Sequence, residues 1–150
     1  MTLHLSPELL RAIHAHGELA YPEEGAGLIL GIVGAGDRTA TALSPRPNNF
    51  QPESRRRRYL ITAEDMLEAE EQAERLGVDV IGVFHSHPDH PAQASEFDRE
   101  WAMPFYSYVI TSVSNARAVE SRSWRLDEGR ARMTEETLLV TTDARSEEVS

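Results

Sequence analysis

The stretch FHSHPDHPAQASEFD, residues 84–98, decides the fold and the chemistry of this chain. It follows VDVIGVF (78–84), an apolar run that reads as a buried central strand. Residues i and i+2 share one face of a strand. His85 and His87 therefore project together, and two imidazoles can converge on one ion. Pro88 stops the strand and sets a turn. Ser95 is placed to cap a short helix, with Asp98 on its first turn, which can bring a carboxylate back toward the strand end. Two histidines and one carboxylate leave a fourth tetrahedral position open for water, the arrangement of a catalytic zinc site. Nitrogen and oxygen donors without thiolate also suit manganese, iron or cobalt.

A second His-x-His occurs in RAIHAHGE, at His14 and His16. Ser6 reads as an N-cap, with Pro7 at the first helical position and Glu8 in the first turn. On the resulting helix, positions i and i+2 diverge. This pair is expected to be two helix-surface histidines rather than joint ligands.

Composition narrows the function classes. At 150 residues with 40% hydrophobic content, the chain can bury the core of one domain. There is no cysteine, so thiolate metal sites, disulfides and a cysteine nucleophile are excluded. The formal charge of −10 disfavours nucleic acid and anionic membranes as partners. No apolar run approaches a membrane span. The first residues lack the basic start and apolar block of a secretory signal, so a cytoplasmic location is expected. All fifteen basic residues are Arg. A GC-rich genome explains that most simply.

Further elements follow from pattern. The first helix should end near Gly17. GLILGIVG reads as a buried strand and RTATALS as its partner across Gly36-Asp37. A Pro/Asn/Arg-rich loop, SPRPNNFQPESRRRR, precedes a short strand YLIT. Thr62 and Asp65 form a capping box for AEDMLEAEEQAERLG, with an apolar stripe of Met66, Ala69, Ala73 and Leu76 and a stop at Gly77. SYVITSV, AVESRSWRL and TEETLLVTT read as three more strands. Trp101 and Trp124 are expected to pack in the core or at a sheet edge. One domain over 1–142 is expected, with a frayed tail over 143–150. The mixture points to an α/β or α+β sandwich.

The motif His-x-His-x7-Ser-x2-Asp is far more specific than a bare His-x-His. Here it reads His85-Ser86-His87, seven residues from Pro88 to Ala94, then Ser95 and Asp98. With it the chain resembles the JAMM metalloproteases, also called the MPN-plus domain. That family carries a glutamate just before a Gly-Leu-x-Leu-Gly strand. Glu24 precedes Gly27-Leu28-Ile29-Leu30-Gly31 at the matching offset, and Glu23 is one residue off. The resemblance runs from Tyr21 to about Leu126, including Arg-Tyr-x-Ile at 58–61 and Ser-Trp-Arg-Leu at 123–126.

The resemblance implies a single-domain α/β fold, a cytidine-deaminase-like sandwich with a mixed central sheet flanked by helices. It implies one Zn2+ held by His85, His87 and Asp98. Glu24 is then the general base that takes a proton from water and hands it to the leaving amine. Ser95 has two readings, the helix cap and a donor to the developing oxyanion. Ser86 faces away and reads as structural. His90, Arg57 and Arg58 are candidates to touch substrate, although exposed loop positions are the simpler account, as for Asp89. The Arg55–Arg58 run reads as a solvated loop or a dock for an acidic partner.

The implied activity is hydrolysis of the amide after the C-terminal diglycine of a ubiquitin-like or β-grasp sulfur-carrier protein, by a compact prokaryotic peptidase or isopeptidase. A homodimer is also implied. The alternatives are a non-catalytic MPN scaffold, which has no need of an intact ligand set, and a zinc peptidase acting without a protein tag. A nucleoside deaminase would want a Pro-Cys-x-x-Cys metal motif, which a chain without cysteine cannot supply.

Overall fold

Leu28 and Leu30 point to one side of their strand and Ile29 to the other, and all three are fully buried. A strand buried on both faces must lie inside a sheet covered by helices. The computed structural model, which describes residues 1–129 and 131–141, has this architecture. In chain order the elements are β1 (Thr2–Leu5), α1 (Pro7–Ala20), β2 (Ala26–Val33), β3 (Asp37–Arg46), a 3-10 turn (Pro52–Ser54), α2 (Ala63–Leu76), β4 (Asp79–Pro88), α3 (Glu96–Trp101), β5 (Ser107–Ser114), β6 (Arg117–Leu126) and β7 (Met133–Val140).

The strand order is β1-β3-β2-β4-β5-β6-β7, and β1 also pairs with β7. The sheet is mixed, as expected: β4 runs parallel to β5, and β1 runs parallel to both its neighbours. It is a closed barrel rather than an open sandwich. The closure comes from β1, which pattern reading missed. Four residues, TLHL, are too short to score, yet Leu3 and Leu5 are fully buried. One core cluster joins α2 to Leu28, Leu30, Val83 and Tyr108. The other joins Ile13 of α1 to Leu3, Ile29, Phe84 and Val109.

Helix α2 has the expected ends. Thr62 Oγ1 accepts from the Asp65 amide at 3.0 Å, Asp65 answers on the Thr62 amide at 2.9 Å, and Gly77 closes it in the left-handed region (φ 73°). Four expectations need correction. Leu76 is exposed, so the stripe stops at Ala73. Helix α1 runs past Gly17 to Ala20, because Gly17 is there for closeness and not for capping. A Cβ on it would come within 3.1 Å of Ser86 and Val113. YLIT forms no strand. Trp101 is largely exposed beside Phe97. Trp124 does pack against the core, its indole N–H donating to the Ala92 carbonyl at 3.0 Å. The expected tail lies outside the described residues. No helix among the described residues is long and apolar enough to cross a membrane.

Candidate metal centre

Strand β4 is central, flanked by β2 and β5, and continues through His87 to Pro88. That places His85 and His87 side by side, with ring centroids 5.2 Å apart. Helix α3 brings in the carboxylate. Ser95 Oγ accepts from the Asp98 amide at 3.1 Å, and Asp98 Oδ2 accepts from the Ser95 amide at 2.8 Å. This capping box fixes Asp98 so that Oδ2 lies 3.1 Å from His87 Nε2 and Oδ1 lies 3.5 Å from His85 Nε2. One ligand atom from each of the three residues falls within 4.8 Å of the others, and all three are buried.

Each histidine is oriented from behind. His87 Nδ1 lies 2.8 Å from the Pro91 carbonyl, which accepts its proton and leaves Nε2 free to bind. His85 stacks on Tyr59, with centroids 4.3 Å apart, and its Nδ1 faces Glu24 Oε1 at 3.5 Å. Glu24 is only 4% exposed.

The donor set fits a metal ion. Both ring nitrogens of His85 are buried and lack a hydrogen-bond partner among the described residues. Buried polar atoms are almost always partnered, and a cation shared with His87 and Asp98 would answer His85 Nε2. Charge favours the same site. Burial works to raise the Asp98 carboxyl, but the neighbouring His85, the His87 hydrogen bond and charge, and the Ser95 amide outweigh it and hold it well below the usual carboxylate range. Burial works to lower His87, but the hydrogen bond and charge of Asp98, with Glu24 behind, raise it. Asp98 is therefore ionised, and a metal would take the proton's place on His87.

The other sequence candidates lie around this centre. Ser95 is exposed and its oxygen serves the cap, while its own proton stays available. Asp89 is a turn residue (φ 58°) that accepts from the Tyr21 hydroxyl at 2.7 Å and the Asn115 amide at 3.0 Å. The His90 side chain is exposed, and its carbonyl accepts from Ser112 Oγ at 2.6 Å. Arg57 is exposed, and the Arg58 guanidinium lies over Phe97 at 4.7 Å. The Arg loop is tied to the centre, because the Arg55 carbonyl accepts from the Glu24 amide at 2.7 Å. His14 and His16 do point apart, to Ser121 Oγ at 3.0 Å and to the Phe84 ring at 5.5 Å. Both are half-buried rather than on the surface, because α1 packs against the sheet. Sequence reading missed the supporting roles of Tyr59, of Pro91, and of Asn48, whose side-chain amide donates to the Glu24 carbonyl at 2.9 Å. Only Tyr59 carried a signal, in Arg-Tyr-x-Ile.

Residues 6–127 match the family described as prokaryotic homologs of the JAB domain. The chain belongs to that family. It is a compact prokaryotic member of the JAMM/MPN group. One relative, named as a probable TtuB-protein conjugate cleaving protease of Thermus thermophilus, is 33% identical over 121 residues, covering 79% of this chain and 75% of the relative. A second, the desampylase of Haloferax volcanii, is 34% identical over 110 residues, covering 73% and 75%. The JAB1/MPN domain protein AF2198 of Archaeoglobus fulgidus shares the fold, with a TM-score of 0.54 at 17% identity over 93% of this chain and 99% of that one.

Proposed function

We propose that this family member is a zinc-dependent isopeptidase that cleaves the amide joining the C-terminal diglycine of a ubiquitin-like or sulfur-carrier protein to its target. The enzyme class follows from the family. The conjugate substrate rests on two relatives, one named for cleaving TtuB conjugates and one named a desampylase. The observation that carries the mechanism is the buried convergence of His85, His87 and Asp98, with Glu24 beside it.

In this reading His85, His87 and Asp98 would hold zinc, His85 and His87 through Nε2. The ion supplies Lewis acidity that polarises a carbonyl and acidifies a water. Glu24 Oε1 takes a proton from the attacking water and delivers it to the leaving nitrogen as the amide C–N bond breaks. The hydroxyl goes to the carbonyl carbon and the proton to the amine. Ser95 donates its free hydroxyl proton to the developing oxyanion while still accepting from the Asp98 amide.

An apolar groove of about 380 Å³ adjoins the centre, lined by Tyr59, Ile61, Met66, Phe97 and Trp101 among others. Tyr59 belongs to both groove and centre, so a carrier tail lying in the groove would meet the ligands. Arg58, whose guanidinium lies over the groove residue Phe97, and its exposed chain neighbour Arg57 are the candidate contacts for the carrier body. The proposal keeps the cytoplasmic location and the homodimer expected from the sequence; light scattering checks the latter.

The test pairs metal content with cleavage. A host carrier is extended by a short peptide after its diglycine, or joined there to a lysine side chain. About one zinc per chain, with chelator-sensitive release after the second glycine, is expected. Zinc-loaded protein that cleaves neither substrate would overturn the conjugate reading. Cleavage that survives complete metal removal would overturn the mechanism.

A further inference from the structure

Glu24 Oε1 is buried and has no hydrogen-bond partner among the described residues. Apart from the 3.5 Å approach of His85 Nδ1, the backbone that carries Glu24 sets where this oxygen stands. Besides the Ser86 amide, which donates to the Gly25 carbonyl at 3.0 Å, three bonds hold that backbone. The Glu24 amide donates to the Arg55 carbonyl at 2.7 Å, the Asn48 side-chain amide donates to the Glu24 carbonyl at 2.9 Å, and the Gly25 amide donates to Ser86 Oγ at 2.8 Å. The first two come from the loop between β3 and α2. Only Ser86 belongs to β4, the strand that carries His85 and His87.

The Ser86 contact replaces a ladder bond. β2 pairs with β4 from Ala26 opposite His85, and one residue further the Ser86 amide still donates to the Gly25 carbonyl at 3.0 Å. The return bond from the Gly25 amide goes to the serine side chain instead of a main-chain carbonyl. Ser86 is 2% exposed on the far side of β4, and the space it occupies exists because Gly17 of α1 lacks a Cβ.

We propose that Ser86 is a positioning residue that fixes Glu24 against the His85–His87 strand through the Gly25 amide. The inference rests on the reading of Glu24 as the base. Ser86 touches neither metal nor substrate, and it acts by setting where the Glu24 carboxylate stands. Small displacements of a catalytic group, and loss of the groups that orient a site, each cost about 10- to 100-fold in rate.

The experiment compares zinc-loaded wild type with Ser86→Ala, Ser86→Thr, Glu24→Gln and the double variant Ser86→Ala/Glu24→Gln. Ser86→Ala is expected to bind zinc in chelator competition within about 3-fold of wild type and to keep KM within about 3-fold, while kcat falls ~10- to 100-fold. Ser86→Thr, which keeps the hydroxyl, is expected to recover most of that loss. In the Glu24→Gln background, Ser86→Ala should cost nothing further, because the group it positions is already disabled. If Ser86→Ala does not fold, Ser86→Cys keeps the shape with a weaker acceptor and carries the same comparison. Full kcat in Ser86→Ala with an inactive Glu24→Gln overturns the Ser86 role alone. So does an equal fold-loss in both backgrounds, or a zinc loss that accounts for the rate. Near-full activity in Glu24→Gln overturns the base reading itself, and the Ser86 role with it.

Discussion

His14-Ala-His16 and His85-Ser86-His87 are the same pattern with opposite outcomes. On α1 the two imidazoles separate, one toward Ser121 and the other against Phe84. On β4 they stand 5.2 Å apart and share Asp98. The difference is the period of the element beneath them. What makes the second pair a candidate centre is also what lies behind it: Pro91 on His87, Tyr59 on His85, and a capping box on Asp98.

The largest expected effect is the loss of the ligand set. His87→Ala or Asp98→Asn should remove bound zinc and bring cleavage to background, measured by metal analysis and peptide release on one preparation. Metal retained at the wild-type level would remove that residue from the ligand set. Next, Glu24→Gln should keep zinc while kcat falls ~10²- to 10⁴-fold. Ser95→Ala should lower kcat by ~10²- to 10³-fold if its hydroxyl meets the oxyanion. If it is only a cap, the change is about 1 kcal/mol of stability with little change in rate. Steady-state kinetics beside a thermal melt separate the two.

A smaller effect concerns pH. In metal-free protein, Asp98 sits below its ordinary 3.8, so its contribution to stability is present above that value and lost as pH falls through the folded pKa. His87 sits above 6.5, so its contribution is present below 6.5 and lost as pH rises through the folded pKa. The pair should stabilise metal-free protein most between about pH 4 and 6.5. Zinc affinity should instead rise with pH, because binding needs His87 unprotonated. Thermal melts of metal-free wild type and His87→Ala across that range read the first trend, and zinc titrations read the second. The smallest effect is at the helical pair. His14→Ala and His16→Ala should leave metal and activity unchanged, with a stability loss on the order of 1 kcal/mol from the packed His16.

The centre was legible because its signals are local. The β4 apolar run, the i,i+2 histidines, and Ser95 three residues before Asp98 each state their geometry in a few residues. The Glu24 position came from resemblance, because nothing in its own neighbourhood says that Gly25 pairs with Ser86 across the sheet. The same limit hid β1, whose four residues gain meaning only by bridging β3 and β7. Gly17 looked like a helix stop because its reason for lacking a Cβ lies on β4 and β5. YLIT has strand composition, yet its bulky side chains serve the groove and His85 rather than a ladder.

The most direct measurement is zinc per chain in two double variants, His85→Ala/His87→Ala and His14→Ala/His16→Ala, each loaded with zinc and desalted beside wild type. About one zinc is expected in the helical double variant and none in the strand double variant. Zinc retained without His85 and His87, or lost with His14 and His16, would contradict the assignment of zinc to the strand pair.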